Sequence, residues 1–261
     1  NMVRQINQDN GYGVKYFSIG NEADLYDDGS NALHNCESIK AFAPAMRRAD
    51  SSINILGPDL AWKYKTYEPF AENDWFTPIV ENCGEHIDIF TVHRYRGRDM
   101  GKQDMLNSAE EGRRVIRALK DTMARFGHSN KPLAITEANA DTDWGQTFIG
   151  ALWIADHLGV AAEEGLWSFM VWSIIEGNEL GIINDTNLQP HPTYYGFKMV
   201  AEHFGDEVLD IPNKPFGLAA YASRNSETGQ ITVVLINKNG VPMYVALGFE
   251  ELSGSPASKA W

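Results

Sequence analysis

The chain has 261 residues, 43% of them hydrophobic, which is enough to bury a sizeable core in one large domain or in a domain with an appendage. Its formal charge of −13 comes without clusters of Lys and Arg, so a nucleic-acid backbone is not an expected partner. The longest apolar stretches fall far short of the roughly 20 residues of a membrane-spanning helix, so no membrane span is expected either.

The first hydrophobic run, Val14–Gly20, reads as a buried strand and delivers Asn21 and Glu22 into a loop. Helical patterning follows over Ser38–Arg48, then a second strand at Ile53–Gly57 with Pro58, Asp59 and Trp62 behind it. A third strand, Ile87–His93, leads to Arg94 and Tyr95, and helical patterning resumes over Ser108–Phe126. Leu133–Glu137 ends on the second glutamate of interest, and a helical stretch at Thr147–Glu164 precedes a fifth run, Leu166–Ser173, which contains Trp172. The strand starts lie 33 to 46 residues apart, the repeat of successive βα units with a parallel sheet.

Beyond Phe204 the pattern changes. Phe216–Ser223, Gln230–Lys238 and Met243–Phe249 are β-rich and separated by Asn, Gly and Ser turns, which predicts antiparallel pairing. The expected division is residues 1–205 as an α/β part and 206–261 as an incomplete β-rich domain. Five βα units fall short of the eight that close a (β/α)8 barrel, so two architectures fit: part of such a barrel, or an open sheet with a ligand at a switch in strand order.

Cys36 and Cys83 are the only cysteines, without CxxC or a neighbouring His pair, so they are free thiols or one bridge. No metal and no cofactor are expected. The chain starts at Asn1 with no basic-then-apolar leader, which reads as a mature or excised soluble protein, secreted, periplasmic or extracellular. Asn184-Asp185-Thr186 is a single glycosylation sequon, a pattern frequent by chance.

Each of the five runs places polar or aromatic residues at its C-terminal end, where α/β barrels do their chemistry. Two carboxylates from different strands are the minimum equipment for glycosidic hydrolysis, one as proton donor and one as nucleophile or base. Taken alone, Glu22 and Glu137 are equally at home as solvated loop carboxylates, and Asn178-Glu179 repeats the Asn-Glu pair in a Gly-rich loop. Glu176, Glu179 and Asp185 form an acidic loop cluster that suits a cation or plain solvation. No GxSxG, Walker, GxGxxG or HExxH motif offers another chemistry.

Four segments carry a resemblance: Phe17-Ser18-Ile19-Gly20-Asn21-Glu22, Ile89-Phe90-Thr91-Val92-His93-Arg94-Tyr95, Ala134-Ile135-Thr136-Glu137 and Phe169-Met170-Val171-Trp172. Together they resemble the retaining glycoside hydrolases of clan A, in the manner of the families of β-xylosidases and iduronidases, of β-glucuronidases and heparanase-like enzymes, and of arabinofuranosidases. The resemblance covers about residues 14 to 250 and implies a partial (β/α)8 TIM barrel, strands four to eight, with a C-terminal antiparallel β domain. The first three strands would come from the same longer polypeptide.

The same resemblance implies roles. Glu22 would be the general acid and base and Glu137 the nucleophile of a double displacement, about 5 to 5.5 Å apart. Asn21 would donate to a sugar 2-hydroxyl, Tyr95 to Glu137, His93 would contact substrate, and Trp172 would offer a ring face to a sugar in an oligosaccharide, polysaccharide or glycoside. The competing readings are a turn-forming Asn, an ordinary buried Tyr, a satisfied core His and a packing Trp; Trp62 and Trp144 have weaker claims and Trp153 is expected in the core. A rival function is a non-catalytic carbohydrate-binding or scaffolding protein on a barrel fragment.

Overall fold

A computed structural model describes residues 2–26, 31–64, 74–141, 144–176 and 180–248. Five strands, β1 (Tyr16–Ser18), β2 (Asn54–Leu60), β3 (Ile89–Arg96), β4 (Leu133–Ala140) and β5 (Ser168–Val171), pair in chain order, every neighbour parallel. Helices α1 (Ala32–Ala49), α2 (Phe76–Cys83), α3 (Lys102–Arg125) and α4 (Phe148–Glu163) form the crossovers. Among the described residues the strand order contains no switch, which argues against a doubly wound open sheet and for the partial barrel.

The sheet is curled into a half-barrel. The rings of Tyr16 on β1 and Trp167, just ahead of β5, meet at 5.0 Å although these are the two edges of the sheet. Leu56, Ile89 and Ala134 form a small apolar layer on the inner face, separate from the main core. On the outer face Phe17, Ile55 and Phe90 pack against the helices with Ile39, Ile79 and Leu119, all buried.

Local chemistry sets several element ends. The Asn31 side chain accepts from the backbone N–H groups of Leu33 and His34 at 3.0 and 3.1 Å and caps α1. Thr147 does the same for α4 through Gly150, and Pro192 opens α5 (Pro192–His203). Cys36 of α1 and Cys83 at the end of α2 form a disulfide with Cα atoms 5.6 Å apart, which resolves the two thiol alternatives in favour of a bridge.

Strands β6 (Glu207–Leu209), β7 (Leu218–Arg224) and β8 (Ile231–Asn237) form a separate antiparallel sheet in that order. Its make-up corrects the expected one: Met243–Phe249 contributes no strand over residues 243–248, Phe249 lies outside the described residues, and the third strand is Glu207–Leu209. β6 is three residues long and pairs on one side only, too short to show an alternating pattern. The sheet packs on α4, where Gly159 lies against the Tyr221 ring; a Cβ there would come within 2.2 Å of it.

Candidate active site

The inner ladders lose register at one height of the half-barrel. The shifts fall between Pro58 and Leu60 on β2, between Val92 and His93 on β3, and between Ile135 and Ala138 on β4. The extra residues lie on two strands, Asp59 on β2 and the Thr136–Glu137 region on β4, while β3 runs through without one. A bulge re-aims the side chain it carries, and these turn Asp59 and Glu137 toward His93. Glu137 thus lies inside β4 instead of at its end, because β4 continues to Ala140.

Glu22 arrives from β1 through a left-handed residue conformation, φ 50°, and Asp59 has the same one, φ 49°. The Glu22 N–H donates to the Asp59 carbonyl at 2.9 Å, so each holds the other in a conformation that costs a non-glycine residue about 1–3 kcal/mol. Asp24, two residues on and buried, accepts from the backbone N–H groups of Ala61, Trp62 and Lys63 at 2.8 to 2.9 Å. The loops after β1 and β2 are thereby fixed to one another around Glu22.

The centre of the site is His93, 1% exposed. Its Nδ1 lies 2.8 Å from a Glu22 carboxylate oxygen and 3.5 Å from Glu137, and its Nε2 lies 3.7 Å from Asp59. Burial alone would depress this imidazole, but Asp59, Glu22 and the charge of Glu137 outweigh it and raise its pKa above the ordinary histidine value. For Asp59 burial also opposes ionisation. Contacts with His93, Ser18, Thr136 and Thr91 outweigh it and lower the carboxyl below its usual value.

Ser18 and Thr136 both donate to the Asp59 carboxylate, and its own N–H donates to Thr91 at 3.0 Å. Tyr95 donates its phenol to Glu137 at 2.9 Å. Burial, reinforced by Glu22 and Asp59, raises the Glu137 carboxyl against the opposing pull of His93 and Tyr95. Burial and then Glu137 raise Tyr95, which therefore stays a donor.

The ligand atoms of Glu22, His93 and Glu137 lie within 4.8 Å of one another. That spacing would suit a cation, and a histidine binds one only in its neutral form, which the neighbouring carboxylates disfavour. The two carboxylates, open to solvent at 21% and 17% with the His93 ring beside both, also suit a shared-proton reaction.

The residues singled out in the sequence are brought to one edge with unequal outcomes. Asn21 is exposed beside Glu22. Trp172 is 45% exposed, its indole N–H donating to Glu176 at 2.9 Å, and Ser173 donates to the same carboxylate at 3.0 Å. Trp62 is also 45% exposed, Trp144 donates to the Met100 carbonyl at 3.2 Å, and Trp153 is in the core. Both ring nitrogens of His93, expected to contact substrate, face carboxylates instead. Asn178 and Glu179 lie outside the described residues.

Asp59 is the principal residue that the motifs did not single out. It sat behind a strand expected to end at Gly57, whereas β2 runs on to Leu60 and buries it. The available signal was a carboxylate bracketed by Pro58 and Leu60 in an otherwise apolar run.

No family model matches the chain. It is 26% identical over 195 residues to heparanase-like protein 3 of Arabidopsis thaliana, an alignment covering 68% of this chain and 35% of that protein. Among solved structures it superposes on the α-L-arabinofuranosidase of Thermotoga maritima with a TM-score of 0.70 at 16% identity, covering 87% of this chain and 52% of that one. The family 44 endoglucanase of Clostridium thermocellum gives a TM-score of 0.72 at 19% identity, covering 91% and 58%. The likeness shows the fold, a (β/α)8-type barrel over part of its length with a β-rich segment after it, and the chain spans about half the length of those structures.

Proposed function

We propose that this chain carries the two catalytic carboxylates of a retaining glycoside hydrolase, Glu137 as nucleophile and Glu22 as acid and base. The observation that supports the reading most is their separation, within 4.8 Å between ligand atoms, close to the about 5–5.5 Å of retaining enzymes and too short for the intervening water of inverting ones.

In this mechanism Glu137 attacks the anomeric carbon as Glu22 gives a proton to the departing oxygen. The phenol of Tyr95 fixes which Glu137 oxygen is free to attack. Formation of the glycosyl ester removes the Glu137 charge that His93 faced at 3.5 Å, leaving Glu22 as the partner of its Nδ1. Glu22 then takes a proton from water, whose oxygen attacks the anomeric carbon and expels Glu137. Exposed Asn21 and the exposed ring of Trp172 are proposed to hold the sugar.

The substrate proposed is a glycoside, oligosaccharide or polysaccharide. The barrel strands ahead of Tyr16 are proposed to belong to the same longer polypeptide, with residues 206–261 as part of its β domain. The Cys36–Cys83 bridge supports a secreted, periplasmic or extracellular setting.

The test is to incubate the full-length protein with dinitrophenyl 2-deoxy-2-fluoro glycosides of glucose, xylose, arabinofuranose and glucuronic acid, then digest it for peptide mass spectrometry. A label on Glu137 is expected. A label on Glu22 would exchange the two roles, and sugar binding without label or turnover would replace the enzyme by a carbohydrate-binding protein.

A further inference from the structure

We propose that Asp59 is a positioning residue for the proton chemistry, holding the His93 ring with Nδ1 directed at Glu22. The inference rests on the reading of Glu22 as the group that moves the proton.

Asp59 is 3% exposed and four groups converge on it. Ser18 from β1 and Thr136 from β4 donate to its carboxylate, Thr91 from β3 receives its N–H, and His93 Nε2 stands 3.7 Å away. A carboxylate used only to fill space would not draw a hydroxyl donor from each of two strands while a third strand's hydroxyl accepts its N–H. At 3.7 Å the contact with Nε2 is an ion pair rather than a direct hydrogen bond, so Asp59 acts on the imidazole through charge. Its left-handed backbone, tied to the Glu22 N–H, puts that charge on the side of the ring away from Glu22.

Every charged group facing His93 among the described residues is a carboxylate: Glu22 after β1, Asp59 on β2 and Glu137 on β4. The remaining polar neighbours are the Tyr95 phenol, already committed to Glu137, and the Tyr64 hydroxyl, which donates to the His93 carbonyl at 2.6 Å. Of the three carboxylates Asp59 alone is closed off from solvent and from substrate, so its charge persists through both half-reactions. Glu137 loses its charge in the glycosyl ester and Glu22 gains and loses a proton. When water adds, its oxygen bonds to the anomeric carbon, the bond to Glu137 breaks, and the water proton passes to Glu22. An Nδ1–H held by Asp59 accompanies Glu22 through that exchange and favours its anionic form until the proton arrives.

Asp59→Asn tests this, because Asn keeps the shape, tolerates the left-handed conformation and lacks the charge. The His93 ring is titrated by 15N NMR in wild type and variant, a readout independent of turnover, and kcat and KM are measured on aryl glycosides with good leaving groups, where the second half-reaction limits. The expectation is a His93 titration moved to lower pH, kcat down about 10–100-fold as for other groups that orient a functional histidine, and KM little changed. An unchanged titration would overturn the proposal, as would a moved titration with unchanged kcat. Should the variant not fold, wild type still decides: a His93 that takes its second proton only below the range of free histidine overturns it. If Glu22→Gln and Glu137→Gln both leave turnover intact, the functional reading beneath fails, while the NMR shift separately decides the Asp59–His93 link.

Discussion

Asp59 in the candidate site and Asp156 on α4 are almost equally buried, 3% and 2% exposed, and each is served by neighbouring donors. Asp156 pairs with Lys238 Nζ at 2.5 Å and accepts from the Tyr221 hydroxyl at 2.5 Å, joining α4 to the antiparallel sheet. Burial raises Asp156 in spite of both partners, whereas hydroxyls and His93 carry Asp59 the other way. The first network is closed and joins two layers. The second opens to solvent through Glu22 and Glu137 and keeps its charge, so burial of a carboxylate does not by itself mark a functional site. What distinguishes this one is the convergence of hydroxyls, register shifts and left-handed residues on it.

The largest effect expected is on turnover. Glu137→Gln should cut kcat by about 10⁴-fold or more, as loss of a nucleophile does. The same change should leave stability equal or slightly higher at neutral pH, because burial disfavours the charge that Gln removes. Thermal melts beside single-turnover rates check both, and a variant that loses stability along with activity would place Glu137 with the structural network.

Lys238→Ala should do the opposite. Both side chains are buried, 7% and 3% exposed, so removing the cation strands Asp156 and should cost about 3–5 kcal/mol, with kcat of the folded protein unchanged. Denaturant titration measures it. Recovery of much of that stability in Lys238→Met with Asp156→Leu is expected, and failure to recover would mean that the pair does more than fill an interface.

The tyrosines repeat the contrast at smaller scale. Tyr221→Phe removes the donor to Asp156 and should cost about 1.5–3 kcal/mol of stability. Tyr95→Phe removes the donor to Glu137 and should lower kcat with little change in the melt. Equal stability losses in the two variants would erase the distinction.

Much of this was legible along the chain. The five parallel strands follow from apolar runs at βα spacing, since strands covered on their faces by helices need no alternation. Glu22, His93, Tyr95 and Glu137 were legible as polar residues closing apolar runs, although His93, Tyr95 and Glu137 lie within β3 and β4 because those strands run on to Arg96 and Ala140. β6 was not, because three residues carry no periodicity, and Met243–Phe249 had the composition of a strand without a partner among the described residues. Asp59 was hidden because the bulges that bring it under His93 are set by pairing between strands, not by the residues of any one run.

The smallest effect, and the one that separates the aspartates most directly, is the slope of stability with pH. A carboxyl lowered in the fold, as Asp59 is, contributes stability that is present above the unfolded value of about 3.9 and lost as pH falls through its folded pKa. A carboxyl raised in the fold, as Asp156 is, contributes stability that is present below the unfolded value and lost as pH rises through its folded pKa. Melts of wild type, Asp59→Asn and Asp156→Asn between pH 3 and 7 isolate the two terms by difference. The advantage of wild type over Asp59→Asn should grow with pH, and that over Asp156→Asn should shrink. His93 and Glu137, both raised, add a decline toward alkaline pH that all three proteins share in kind, with the His93 part weaker in Asp59→Asn because its charge partner is gone. Slopes of the same sign for the two differences would mean that the hydroxyls around Asp59 do not hold its charge, and the argument that a persistent anion orients His93 would fall with them.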